Sequence, residues 1–203
     1  MSTSIPFKFT AIISTLFIAS FSNAAIIVAG SYEAFNALVA LRSGTILVEN
    51  FDGYNGFYAS GLTGGSGDLA WTATAVGGLY ADAATSAMST NFAQIGLTMT
   101  FSSPNVFAIG GNFFNTDVNF GVVSGLVTIS SGGQDYVYTS NGGSSSFAGF
   151  MSTSGSISSI TFAPFGSGDL FATASSVVVG VVPSPAVLAL GALAGAFGRR
   201  RRN

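Results

Sequence analysis

LVTISSGGQDYVYT, residues 126–139, decides how the rest of the chain is read. Val127-Thr128-Ile129 alternates apolar and polar side chains, the period of a strand with one buried face. Gly132-Gly133 then supplies the left-handed backbone that a two-residue hairpin turn requires. The stretch predicts an antiparallel hairpin with strands at 126–131 and 135–139. The same grammar recurs in Leu97-Thr98-Met99-Thr100-Phe101 and in the turn sequence Asn141-Gly142-Gly143. Further strand candidates lie at 69–75, 95–101, 106–114, 146–151, 157–162 and 176–181, with a turn about every ten residues. No repeat of fixed period is present, which argues against a solenoid or propeller.

Ahead of the strands, Ser31 is a suitable N-cap for a helix over YEAFNALVALR, residues 32–42. Phe35, Leu38, Val39 and Leu41 are assigned to its buried face, and Gly44 ends it. TILVENF, residues 45–51, reads as a strand turned by Asp52-Gly53. Residues 53–67 are rich in Gly, Tyr and Ser and read as a loop or loose hairpin. The fold class expected is mainly β: an antiparallel β-sandwich with one short N-terminal helix. Phe101, Phe107, Phe113, Phe120, Phe147, Phe150 and Phe162 are its expected core.

The chain has 203 residues, of which 7% are charged, and it contains neither cysteine nor histidine. Disulfides and thiolate chemistry are therefore excluded, and so are the commonest general base and the commonest transition-metal ligand. Nucleophilic serine chemistry also lacks an activating base. Gly64-Gly65-Ser66-Gly67 has neither the lysine nor the strand-to-helix setting of a phosphate loop.

Both ends read as addresses. Residues 1–24 have a basic start at Lys8, an apolar run over 9–21 and small residues at Ser22 and Ala24, the pattern of a signal peptide cleaved between Ala24 and Ala25. Residues 181–203 have three parts: a proline motif, an uncharged Ala-, Leu- and Gly-rich run over 187–198, and Arg199, Arg200, Arg201 and Arg202. Twelve helical residues span only ~18 Å, short of a hydrocarbon core of ~30 Å. The run reaches across only if 177–182 join it or the bilayer thins. The arginines act as a cytoplasmic stop. A plain C-terminal membrane anchor is the competing reading. With both ends removed, Arg42 stands alone against eight acidic residues, a formal charge of −7 for the domain over 25–180. Binding of nucleic acid through a basic patch is excluded.

The tail resembles the PEP-CTERM sorting signal of exopolysaccharide-producing bacteria, with Val182-Pro183-Ser184-Pro185-Ala186 as its processing motif and Ser184 where a glutamate is usual. The middle of the chain resembles the jelly-roll-like ectodomain common among such proteins, through Phe51-Asp52-Gly53, through GNFFNTD over 111–117, and through Phe147-Ala148-Gly149-Phe150 followed by ISSITF over 157–162. The resemblance implies export by signal peptidase, transient insertion of the C-terminal helix in the inner membrane, and handling by an exosortase-like transpeptidase or protease. It implies a final place at the cell surface or in the extracellular matrix. It implies no biochemical activity.

Chemistry within the domain has three candidates. Structural calcium would draw on Glu49 and Asp52, although the closing stretch has no acid beyond Asp169. No other metal or cofactor is expected. Sugar contact would draw on the aromatic cluster of Tyr54, Phe57, Tyr58, Trp71 and Tyr80, with Tyr54, Tyr58 and Trp71 the named candidates; Trp71 reads first as core. Glycoside hydrolysis would need two carboxylates from Glu49, Asp52, Asp117 and Asp135, and no spacing singles out a pair. The expectation is a non-catalytic exported protein associated with exopolysaccharide. The alternatives are a carbohydrate-binding module and, behind it, a secreted glycoside hydrolase.

Overall fold

A computed structural model describes residues 25–142 and 146–182. In chain order its elements are β1 (Ile26–Ala29), α1 (Tyr32–Leu41), β2 (Thr45–Glu49), β3 (Gly56–Tyr58), β4 (Leu62–Gly64), β5 (Trp71–Thr74), β6 (Leu79–Asp82), β7 (Ala87–Thr90) and β8 (Leu97–Phe101). They continue with β9 (Val106–Thr116), β10 (Val122–Val123), β11 (Gly125–Ser131), β12 (Gln134–Ser140), β13 (Phe147–Ser152), β14 (Ser159–Phe165) and β15 (Phe171–Val181). The strands form two antiparallel sheets. The larger runs β1-β13-β9-β15-β7-β6-β3, with β10 also paired to β9 and β2 to β15; the smaller runs β12-β11-β14-β8-β5-β4. The expected β-sandwich with one short helix is what the described residues form.

The two longest strands, β9 and β15, have 11 residues each and pair from Phe171↔Thr116 to Val181↔Val106. A register shift between Ala174 and Ser176 falls where β15 passes from one neighbour, β7, to the next, β2. Such a bulge bends a strand and lets it serve two partners. Between the sheets lie Met88, Ile109, Phe113 and Phe150 from the large sheet and Leu97, Met99, Ile129 and Phe162 from the small one, all buried. Phe113 and Phe162 meet across the interface with ring centroids 4.5 Å apart.

The large sheet is also covered on part of its outer face. Ser31 caps α1 as expected, its Oγ accepting from the Ala34 N–H at 3.2 Å. Phe35 and Val39 pack with Phe107, Ala108, Phe147, Met151 and Val178 into a second core. Leu41 is 80% exposed rather than buried. It lies six residues from Phe35, roughly 240° around the helix, and so leaves the apolar stripe. The helix can sit this low because glycines lie beneath it. A Cβ on Gly110 would come 3.2 Å from the Phe35 ring, and one on Gly180 would come 2.6 Å from Val39. A Cβ on Gly149 would be 2.8 Å from the Gly110 Cα and 2.9 Å from the Ile109 carbonyl.

Polar ties also join the sheets near β9. The Tyr138 hydroxyl, on β12, donates to the carbonyls of Phe113 (2.6 Å) and Ser146 (3.1 Å). Asn115 Nδ2, on β9, donates to the Leu126 carbonyl at 3.1 Å. Burial pushes the Tyr138 phenol well up from its ordinary value, with the neighbouring Tyr136 adding to the rise. The outer face of the small sheet carries hydroxyls in ranks. Thr63, Thr72, Thr100 and Ser159 are successive partners across four strands, and Thr74, Thr98, Thr161, Ser130 and Asp135 across five.

Gly132 and Gly133 both have positive φ, 56° and 78°, and turn β11 into β12 as the sequence predicts. Gly143 of the second expected turn lies outside the described residues. The stretch read as a loop or loose hairpin holds β3, β4 and a single 3₁₀ turn, Gly67–Leu69. β1, β6 and β7 were also not anticipated. They are short: β1 is fixed by the distant β13, and β6 and β7 pair with each other across a four-residue turn without the glycine-marked hairpin signal that announces β11–β12. Phe120, expected in the core, lies in the β9–β10 loop with φ +62°. Val177 to Val181 belong to the sheet interior, so they are not available to lengthen the apolar tail run. Among the described residues no helix is long and apolar enough to cross a membrane. Residues 1–24, read as a signal peptide, and the tail from Pro183 onward lie outside the described residues.

The glycine bed under α1 sets one prediction. Gly149→Val should cost about 2–3 kcal/mol through overpacking. Gly53→Ala, with open space around its Cβ, should be neutral or slightly stabilising. Urea unfolding followed by the single tryptophan compares them, and equal midpoints would refute the close-approach account. Tyr138 sets another. An unfolded tyrosine ionises near 10, so above that pH the folded state retains a proton the unfolded state has lost. Stability should therefore be flat with respect to this group below pH 10 and fall as pH rises beyond it. Tyr138→Phe should flatten that alkaline fall while costing about 1–3 kcal/mol at neutral pH.

Candidate functional site

The residues singled out by sequence divide between two places. Glu49 ends β2 on the large sheet and Trp71 opens β5 on the small one. The indole N–H of Trp71 donates to Glu49 Oε2 at 2.8 Å, and the Phe51 N–H donates to Oε1 at 2.9 Å. Phe51 and Tyr54 meet the indole edgewise, at 5.7 and 5.5 Å. Phe51 is fully buried yet has φ +62°, a left-handed backbone rarely adopted by a bulky side chain. Such a conformation costs on the order of 1–3 kcal/mol and persists when its surroundings fix it. Here the burial of the ring and the Glu49 hydrogen bond hold it. Burial raises the Tyr54 phenol above its ordinary range, and the Glu49 charge raises it further.

This group is a clamp between the sheets rather than a ligand platform. Trp71 is only 3% exposed. A depression of about 560 Å³ opens beside it over Gly64, Gly65, Thr72 and Thr100, but the ring presents no open face to it. Tyr58 is turned to its own loop, exchanging hydrogen bonds with the Asn55 backbone. Asp52 lies apart from Glu49 in its bonding, its Oδ1 accepting from Ser86 Oγ at 2.6 Å. Among the described residues no three Asp, Glu, His or Cys side chains gather as a metal set. The four carboxylates weighed for hydrolysis are dispersed: Glu49 in the clamp, Asp52 in the turn after β2, Asp117 in the β9–β10 loop of the large sheet, and Asp135 on the outer face of the small sheet.

The open surface lies elsewhere. Beyond the N-terminal end of α1, the outer face of the large sheet carries three depressions strung along β9 and β15. One of about 470 Å³ is bordered by Tyr32, Glu33 and Phe147 over Asn112 and Ser176. The next, about 270 Å³, lies over Phe114, Thr116, Thr173 and Ser175, with Phe120 at its border. The third, about 330 Å³, shares Phe120 and is flanked by Tyr80, Asn91, Asp117 and Asn119. Beneath them Thr173 Oγ1 is hydrogen-bonded to Thr116 Oγ1 (2.8 Å) and Ser89 Oγ (2.9 Å), a buried chain of hydroxyls. Of the aromatic cluster proposed from sequence, Tyr80 and its cross-strand partner Phe57 belong to this face. Its remaining members were not legible as a set, because they come together only through the β9–β15 register and the fold of the β9–β10 loop.

Comparison with known proteins finds no matching family model, no matching curated protein and no matching solved structure.

The clamp is testable through its own tryptophan. Glu49→Gln leaves one acceptor for two donors and should destabilise by about 1–3 kcal/mol, with Trp71 emission shifting to the red. Asp52→Asn, at an exposed bond, should change stability by less than about 0.5 kcal/mol. A calcium ion on these two carboxylates would instead make the melting temperature rise with added calcium and fall with chelator.

Proposed function

We propose that this chain is an exported, non-catalytic surface or matrix protein, delivered through a PEP-CTERM-type tail and held among extracellular polysaccharide. The observation that carries the reading is the pairing of a signal peptide with a proline motif, a short apolar run and an arginine cluster at the other end. The two antiparallel sheets are read as a jelly-roll-like ectodomain between these addresses. Its limits support the reading. Cleavage between Ala24 and Ala25 would leave β1 intact from Ile26. At the other end, β15 closes at Val181, and the Val182 N–H donates to the Asn105 carbonyl at 3.1 Å. A cut within Pro183, Ser184, Pro185 and Ala186 would remove none of the described strands. Signal peptidase and an exosortase-like enzyme are the implied partners, with a membrane-inserted precursor between them.

Intact-mass measurement and C-terminal peptide mapping of the protein from its own cells test this reading. The expected product starts at Ala25, ends within 183–186 and is recovered outside the inner membrane. Retention of Arg199 to Arg202 in the membrane fraction would make the protein a tethered ectodomain and overturn the sorting assignment.

A further inference from the structure

We infer that the open half of the large sheet's outer face is a binding groove for an uncharged polysaccharide chain. This deepens the proposed association with extracellular polysaccharide and rests on it for biological context, not for its chemistry. The groove is built by incomplete coverage. The helix α1 occupies the outer face over Ala108, Met151 and Val178; beyond Tyr32 no helix covers the sheet among the described residues, and only the β9–β10 loop, through Phe120, leans over its far part. The alternation of β9 and β15 turns Asn112, Ser176 and Phe171 to this face half-buried, while Phe114, Thr116 and Thr173 form its buried floor. From strand rise and spacing the run is roughly 20 Å long, enough for several pyranose rings.

Its lining matches the two surfaces of a sugar. Pyranose rings present apolar C–H faces and hydroxyl edges. Tyr32 and Tyr80 stand at opposite ends with 42% and 40% of their surface exposed, and Phe120 lies 5.7 Å from Tyr80. Between and beside the rings are groups that can pair with hydroxyls. The side-chain amides of Asn112 and Asn119, the Glu33 carboxylate and Asp117 Oδ2 make no hydrogen bond with other described residues, whereas Asp117 Oδ1 is taken by the Asn119 and Gly121 N–H groups. A purely apolar partner would leave these polar groups desolvated and unpaired, which is costly.

Charge narrows the ligand. Each end of the groove carries a carboxylate, Glu33 or Asp117. Arg42 is the one Lys or Arg among the described residues. It is committed elsewhere, donating to the Ser152 carbonyl at 2.8 Å and stacking 4.4 Å above the Phe107 ring. With no free cation among the described residues to pair a uronate, sulfate or phosphate, this face would repel an anionic polymer. The geometry therefore points to a neutral glycan.

Native affinity electrophoresis of the full chain carrying Arg199→Ala, Arg200→Ala, Arg201→Ala and Arg202→Ala, so that no basic cluster meets the acidic probes, tests this in mild neutral detergent, with galactomannan, hydroxyethylcellulose and soluble starch as neutral probes and alginate and hyaluronate as acidic ones. At least one neutral polymer should retard the protein and neither acidic one should. Tyr80→Ala and Tyr32→Ala should each weaken that retardation about tenfold, the scale of one lost aromatic stack. Phe165→Ala, which removes an exposed ring from the small sheet, should leave it unchanged, and Trp71 emission reports that each variant is folded. Absence of retardation by every neutral polymer, equal retardation by alginate, or indifference to both tyrosine variants would overturn the inference. So would a dimer that Tyr80→Ala dissolves, since a second copy would then occupy the groove. Retardation by a chain that keeps its tail in the membrane would preserve the groove and remove the sorting assignment; a correctly cut chain that binds no neutral polymer would do the reverse.

Discussion

The antiparallel pairing of β9 with β15 is the constraint on which the rest of this structure depends. Each strand is long enough to take a succession of partners on its other side. β9 pairs with β13 and then β10, and β15 pairs with β7 and then β2. The bulge near Ser175 lets one of those successions happen without a break in the other ladder. Because the pair is central, its residues meet the second sheet on one face and either the helix or the open groove on the other. The bend, the helix seat and the groove are consequences of a single register.

What was legible in the sequence follows the range of the forces involved. The β11–β12 hairpin declares itself through alternation and Gly132-Gly133, both local signals. The helix was legible from Ser31 and its apolar spacing, except at Leu41, where a large side chain was assigned to the buried stripe although the helical angle carries it away. β1, β3, β4, β6 and β7 were not legible, since strands of three or four residues carry too short a pattern to declare themselves, whether their partner is near, as for β4 with β5 and β6 with β7, or distant, as for β1 with β13. The same limit applies to the site. Tyr54, Tyr58 and Trp71 are conspicuous in the sequence, but whether a ring faces a core or a solvent-filled groove depends on which neighbours arrive. The residues of the open face are scattered from Tyr32 to Ser176; Tyr80 and the stretch over 111–117 stand out in a linear reading, but not as parts of one surface.

The acidic residues illustrate how a candidate for chemistry becomes a structural part. Glu49 was a plausible ligand or general base by residue type alone. In the fold it holds an indole from the opposite sheet and the backbone of a strained phenylalanine with its two oxygens. Asp68 behaves similarly, accepting from Ser103 Oγ and Asn105 Nδ2 through one oxygen. A domain with few charges has few to spare, and here several serve to fix turns and edges.

The ranks of threonine and serine on the small sheet have a consequence for the medium in which the molecule resides. Proteins ordinarily remain dispersed through mutual charge repulsion, which weakens as salt rises and vanishes at the isoelectric point. A face dressed in hydroxyls stays hydrated by a different means. Alcohol groups do not titrate at any physiological pH, and no counterion screens them. Apart from Asp135 and the exposed Leu126, Val137 and Phe165 toward the β12 edge, such a face wets equally in fresh water and in brine. In a swollen gel whose ionic content follows its surroundings, that side of the protein would present the same functional group as the gel itself.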